Sequence, residues 1–165
     1  MLYVALYLTA AVLANLLIAW LGPSAAPGVA FGIVSLDLTS RDHLHDAWKR
    51  KGLWWKMGLL IGAGSVLSWL VNRQSGPIAL ASFVAFICSG LADTLTYAIL
   101  GKSAYLVRVN GSNVVSAAID SLVFLTLAFG WPPMWSIVAL QFVAKVVGGF
   151  VWSVLLKRRQ TNRLG

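Results

Sequence analysis

The chain has 165 residues, 59% of them apolar and 11% charged, with a mean hydropathy of +0.80. A soluble domain is about 45–50% apolar and about 25% charged, so a typical cytosolic enzyme is excluded, and the single cysteine rules out a disulfide scaffold. A net charge of +8 invites nucleic acid, but on so apolar a chain it points first to which side of a membrane the basic residues occupy.

A helix needs roughly 20 mostly apolar residues to cross about 30 Å of hydrocarbon. The first such run is 2–21, followed by Gly22-Pro23 and Pro27-Gly28, which break helices. It lacks a basic leader region and exceeds the roughly 7–15 apolar residues of a signal peptide core, so it reads as a retained span. A shorter segment, 26–40, carries Asp37 and ends in the charged run Arg41 to Lys51. The third span is 53–71, closed by Asn72-Arg73-Gln74-Ser75-Gly76-Pro77. The fourth is 78–100, the fifth 112–129, and Gly130-Trp131-Pro132-Pro133 turns into the sixth, 134–156. The reading is all-α: one polytopic membrane domain over 1–165 with six transmembrane helices.

The basic residues test that count. With six spans, Arg41, Lys49, Arg50, Lys51, Lys56, Lys102, Arg108, Lys157, Arg158, Arg159 and Arg163 share one side, and Arg73 alone takes the other. This is a positive-inside pattern only if the number of spans is even. The short second segment is therefore expected to cross, with both termini cytoplasmic and the basic loops beside anionic lipid rather than nucleic acid.

Inside lipid the informative residues are the costly ones. A mid-bilayer charge costs about 2.5–3.5 kcal/mol on insertion scales, so it faces the bundle interior and marks function more often than decoration. Asp120 falls at the middle of the fifth span and Lys145 at the middle of the sixth; Asp93 lies inward of the fourth span's centre. Asn15 is on the first span, Asp37 near the inner end of the second, and the third brings Ser65 and Ser68. Helical spacing gives each charge companions: Asn113, Ser116, Asp120 and Phe124 share a stripe, as do Gln141, Lys145, Gly148 and Trp152, and Ser89, Asp93, Thr96 and Tyr97. Polar groups converging on an apolar wall describe a pocket for a small planar polar ligand. The bland alternative makes Asp120 and Lys145 a structural ion pair and the small residues packing contacts. That alternative leaves Asp93 and Asp37 without an intramembrane cation, which favours the pocket.

Other features carry less. His43 and His45 project about 200° apart on a helix, and Asp42 with Asp46 makes a weak pair, so no metal site is expected. Hydrolase, zinc-protease and nucleotide-loop motifs are missing, and no cofactor is implied. Asp93 and Asp120 suggest a two-aspartate intramembrane hydrolase, but Ala92-Asp93-Thr94 and Ile119-Asp120-Ser121 lack the flanking sequences of those proteases. Cys88 reads as a small packing residue. Ala10 and Ala14 are spaced for helix packing or a homodimer face.

The segment Arg108-Val-Asn110-Gly-Ser112-Asn113-Val-Val-Ser116-Ala-Ala-Ile119-Asp120-Ser121-Leu-Val-Phe124, with Ala128-Phe129-Gly130, resembles the signature of the VUT family of queuosine-precursor transporters. Ser82-Phe83 through Ala92-Asp93, with Tyr97, is similar to that family's fourth helix, and Asn15, Arg41-Asp42, Asp46 and Lys145 fit as well. The chain differs from many relatives in being shorter and in having Asp46 where many have glutamate. The resemblance implies a six-helix inner-membrane protein sharing its general fold with the substrate-binding subunits of vitamin transporters. It also implies import of 7-cyano-7-deazaguanine or its aminomethyl relative for tRNA modification. Such a base offers adjacent N–H donors to a carboxylate and an O6 acceptor to an amide or ammonium. Asp93 or Asp120 is expected to read the donor edge, with Asn15, Asn113, Ser116, Gln141 and Lys145 supplying the other polar contacts. Tyr97, Phe124 or Trp152 would stack on the ring, and Arg108 would stand at the inner mouth. Alternative readings are a binding subunit that needs a separate energising ATPase and the two-aspartate hydrolase.

Overall fold

The computed structural model describes residues 2–37, 40, 44, 48, 52–100 and 105–161. Among these, every regular element is helical. The helices are α1 (Leu2–Leu21), α2 (Ala26–Val29, running on as a π-helical turn Ala30–Val34 and through residue 37), α3 (Leu53–Val71), α4 (Gly76–Ile99), α5 (Tyr105–Phe129) and α6 (Trp135–Thr161). Among the described residues, four stretches are long and apolar enough to cross a membrane: Leu2–Leu21, Arg73–Thr96, Gly111–Phe129 and Trp135–Trp152. The apolar part of α3, Trp55–Val71, is shorter.

The boundaries of α1 and α3 match the sequence expectation. The others differ in an instructive way. Helix α5 begins at Tyr105, not at 112, and α6 runs to Thr161, past 156. An apolar window marks where hydrocarbon ends, whereas backbone hydrogen bonding continues wherever side chains tolerate it. Helix α4 starts at Gly76 because Pro77 supplies a favourable first-turn residue whose missing N–H costs nothing there. The expected second segment reached 40; its last helical residue in the continuous description is 37, and Leu38 and Thr39 lie outside the described residues.

Two of the turns depend on glycine. Gly22 (φ 77°) donates its N–H to Ile18 O at 2.9 Å, and Gly130 (φ 92°) donates to Thr126 O at 2.8 Å. Both are left-handed residues that stop a helix while satisfying one of its last carbonyls.

Indoles mark the two ends of the bundle. Trp20, Trp69, Trp131 and Trp135 are exposed beside the connections 22–25, 72–75 and 130–134. At the opposite end Trp55 is exposed, and the Lys56 ammonium lies 5.5 Å from its ring centroid and 5.7 Å from that of Trp48. Exposed leucines and valines fill the surface between, which is the distribution of a membrane-embedded bundle with interfacial aromatic belts.

Two apolar clusters form the interior. One joins Ile18, Val29, Ile78, Ala85, Phe124 and Leu125, and the other joins Tyr7, Leu44, Met57, Leu60 and Ile61. Ala10 and Ala14 are buried within this packing, so their small-residue face is used inside the chain. Helix α6 approaches α2 closely. A Cβ on Gly148 would lie 2.5 Å from Phe31 O and 2.9 Å from Ser35 Cβ. The missing side chain lets α6 lie directly against the π-helical turn.

Candidate functional site

Six helical segments contribute to one cavity of about 430 Å³, within the range of small-molecule sites. Helix α1 gives Tyr7 and Asn15; α2 gives Val34 and Asp37; α3 gives Ile61 and Ser65. From α4 come Ser82, Phe83, Phe86 and Ser89, and from α5 come Asn113, Ser116 and Asp120. Helix α6 adds Lys145, Val146 and Phe150. The lining residues Asn113, Val114, Val146 and Phe150 are exposed, so the cavity opens sideways between α5 and α6.

Its electrostatic centre is an ion pair. Lys145 Nζ contacts Asp120 Oδ2 and also donates to Ser121 Oγ at 3.2 Å. The lysine side chain is 2% exposed and the aspartate 23%. The ammonium is therefore held inside protein while the carboxylate reaches into the cavity. Ser121 lies one residue along α5 from Asp120, and its hydroxyl also donates to Ala117 O at 2.8 Å. The pair thus ties α5 to α6 beside the opening.

A second polar chain fixes Asn15. Its Nδ2 donates to Ser68 Oγ at 3.1 Å, Ser68 Oγ donates to Gly64 O at 2.8 Å, and Ser75 Oγ donates to Ser68 O at 2.7 Å. These links hold the Asn15 amide by its nitrogen, so its orientation at the cavity wall is set before any ligand arrives.

The π-helical turn shapes a third side. Ser35 Oγ donates to Ala30 O at 2.8 Å, and Trp152 Nε1 donates to Gly32 O at 2.9 Å. In the π-turn the Ser35 N–H donates to Ala30 O, five residues back, and the Ser35 hydroxyl adds a second bond to the same carbonyl. The indole of Trp152 adds a donor at Gly32 O, next to Val34 and Asp37 in the cavity wall.

Of the residues singled out from sequence, Asn15, Asn113, Ser116, Asp120 and Lys145 are brought together around the cavity. Asp93 and Gln141 are not among its lining residues. Gln141 is 1% exposed, and buried oxygens of both, Asp93 Oδ1 and Gln141 Oε1, have no donor among the described residues. The side chains of Tyr97 and Arg108 lie outside the described residues, as does the Arg41–His43, His45 and Asp46 run. Of the two aspartates, Asp120 lines the cavity and is paired with Lys145, whereas Asp93 is not among the lining residues.

The aromatic expectation shifts. Phe124 packs in an apolar cluster and Trp152 donates to Gly32 O, while Tyr7, Phe83, Phe86 and Phe150 supply the rings at the cavity. These were missed because an aromatic ring in a membrane span looks like packing or lipid contact until its neighbours are known. A signal was nonetheless present: Ser82, Phe86 and Ser89 at i, i+4 and i+7 on α4 make a polar–aromatic stripe of the kind read on α5.

Comparison with known proteins adds one finding. No curated relative and no solved structure matches the chain. The model of the family described as "Putative vitamin uptake transporter" matches residues 3–156, nearly the whole of this apolar bundle, and the chain belongs to that family of membrane transporters.

Proposed function

We propose that the chain imports a queuosine precursor, 7-cyano-7-deazaguanine or 7-aminomethyl-7-deazaguanine, across the cell membrane for tRNA modification. Both termini then face the cytoplasm, a placement supported by the distribution of basic residues. The observation that carries the reading is the cavity in which the Asp120 carboxylate, held by Lys145, stands among amides and rings.

In this reading Asp120 accepts the adjacent N–H donors of the base through its free lone pairs, because the lysine occupies only part of its hydrogen-bonding capacity. The amides of Asn113 and Asn15 face the heterocycle's acceptors, with Ser116 beside them. Stacking comes from Tyr7, Phe83 or Phe86, worth about 1–3 kcal/mol per base–aromatic contact. Lys145 positions the carboxylate. Asp93, Gln141 and Arg108 are assigned supporting roles in recognition.

The test is restoration of tRNA modification in a host that cannot synthesise the base, with each precursor supplied in turn. Restoration by at least one base, and its loss in Asp120→Asn at equal protein level, is the expected outcome. No restoration by either base, from a chain shown to be in the membrane, overturns the substrate assignment. The same experiment in a host without an energising ATPase module separates a self-sufficient transporter from a binding subunit.

A further inference from the structure

A second depression lies on the lipid-facing side of α3 and α4, with a volume of about 460 Å³. Its walls include Gly62, Val66 and Trp69 on α3 and Gly76, Leu80 and Phe83 on α4. It is concave because two positions lack side chains. A Cβ on Gly62 would meet nothing within 4 Å, and one on Gly76 would lie 3.0 Å from Trp69 Cδ1, so the indole rests against bare backbone. Ser65 and Phe83 line both this groove and the central cavity, which makes them a shared partition.

At the groove's end the Arg73 guanidinium stacks on the Trp69 ring, 4.3 Å from its centroid. Arg73 is exposed, and the connections 22–25, 72–75 and 130–134 contain no other Lys, Arg, Asp or Glu. The loop end of the bundle therefore carries one fixed positive charge, placed where an apolar trough meets the interface. A stacked guanidinium keeps its edge N–H groups available, and that edge matches a phosphate in bidentate fashion.

We propose that this groove is a binding site for an anionic phospholipid. One acyl chain lies along Gly62, Val66 and Leu80, and the headgroup phosphate sits on Arg73. A zwitterionic lipid offers the same chain and phosphate, but its ammonium offsets the attraction to the guanidinium. The site is independent of the transported substrate, although an occupied groove backs the Phe83 partition of the central cavity.

The test uses the purified full chain in detergent micelles doped with phosphatidylglycerol or phosphatidylcholine brominated on the acyl chains, with tryptophan fluorescence as the readout. The Trp69→Phe protein supplies the quenching that does not come from this groove. The expected result is saturable, Trp69-dependent quenching whose half-saturation is about 5-fold lower for phosphatidylglycerol, the worth of one interfacial basic residue. Arg73→Gln is expected to bring the two lipids to parity. Gly62→Leu, whose Cβ meets nothing within 4 Å, is expected to fill the trough and suppress quenching by both, with thermal unfolding close to that of the unmodified chain. Equal half-saturation for the two lipids in the unmodified chain, or a preference that survives Arg73→Gln, overturns the headgroup assignment. Quenching unchanged in Gly62→Leu overturns the groove itself.

Discussion

Removing either member of the Asp120–Lys145 pair should not cost the same. Breaking a buried pair by deleting one partner typically costs about 3–5 kcal/mol, because the survivor is left as an uncompensated charge. Lys145→Met leaves behind a carboxylate that is 23% exposed, with the space of the cavity around it. Asp120→Ala leaves behind an ammonium that is 2% exposed, with the Ser121 hydroxyl at 3.2 Å. The lysine variant is therefore expected near about 3 kcal/mol and the aspartate variant toward about 5 kcal/mol. At about 2–4 °C of melting temperature per kcal/mol for a chain of this size, these are losses of about 6–12 °C and about 10–20 °C. The Asp120→Ala/Lys145→Met double variant removes both charges and should recover most of the loss, a coupling that a double-mutant cycle reads directly. Thermal unfolding of the four proteins in one detergent, with precursor binding measured on each, is the assay. The double variant is expected to be folded and unable to bind. Equal losses for the two single variants would refute the burial argument, and a double variant that binds normally would reduce the pair to a structural brace.

Three further outcomes follow from the packing. Gly148→Ala should destabilise by about 1–3 kcal/mol through collision with Phe31 O and Ser35 Cβ, whereas Gly149→Ala, whose Cβ meets nothing within 4 Å, should be neutral or better in thermal unfolding. Trp152→Phe keeps the ring's bulk but loses the N–H to Gly32 O, and is expected to cost about 0.5–1.5 kcal/mol with faster hydrogen exchange around the π-helical turn. Saturating precursor, at 100 times its dissociation constant, should stabilise the unmodified chain by about 2.7 kcal/mol, and Asn15→Ala should reduce that shift.

The path from sequence to site succeeded where cost was visible and stopped where geometry took over. Asp120 and Lys145 were legible because a charge in hydrocarbon is expensive wherever it points. Their companions Asn113 and Ser116 followed from helical spacing, and the structure places all four at the cavity. Asp93 and Gln141 satisfy the same criteria of depth and polarity, yet they lie off the cavity; a stripe defines an angle on one helix but not which neighbour that angle faces. The ends of α1 and α3 were legible because glycine or asparagine closes them. The π-helical turn in α2 was not, since one extra residue in a helical ring has no composition of its own. The contacts that flank it come from elsewhere in the chain, from Gly148 and the indole of Trp152.

The Asp120–Lys145 contact also constrains how the chain is made. Helices α5 and α6 each carry a charge that, alone at the bilayer centre, opposes partitioning out of the translocon by about 2.5–3.5 kcal/mol. Joined by the short turn at Gly130–Met134, they can neutralise each other before either meets lipid. Biosynthesis is thus biased toward release of the last two segments together as a hairpin, and a truncation after α5 strands a carboxylate that its own nascent chain was built to match.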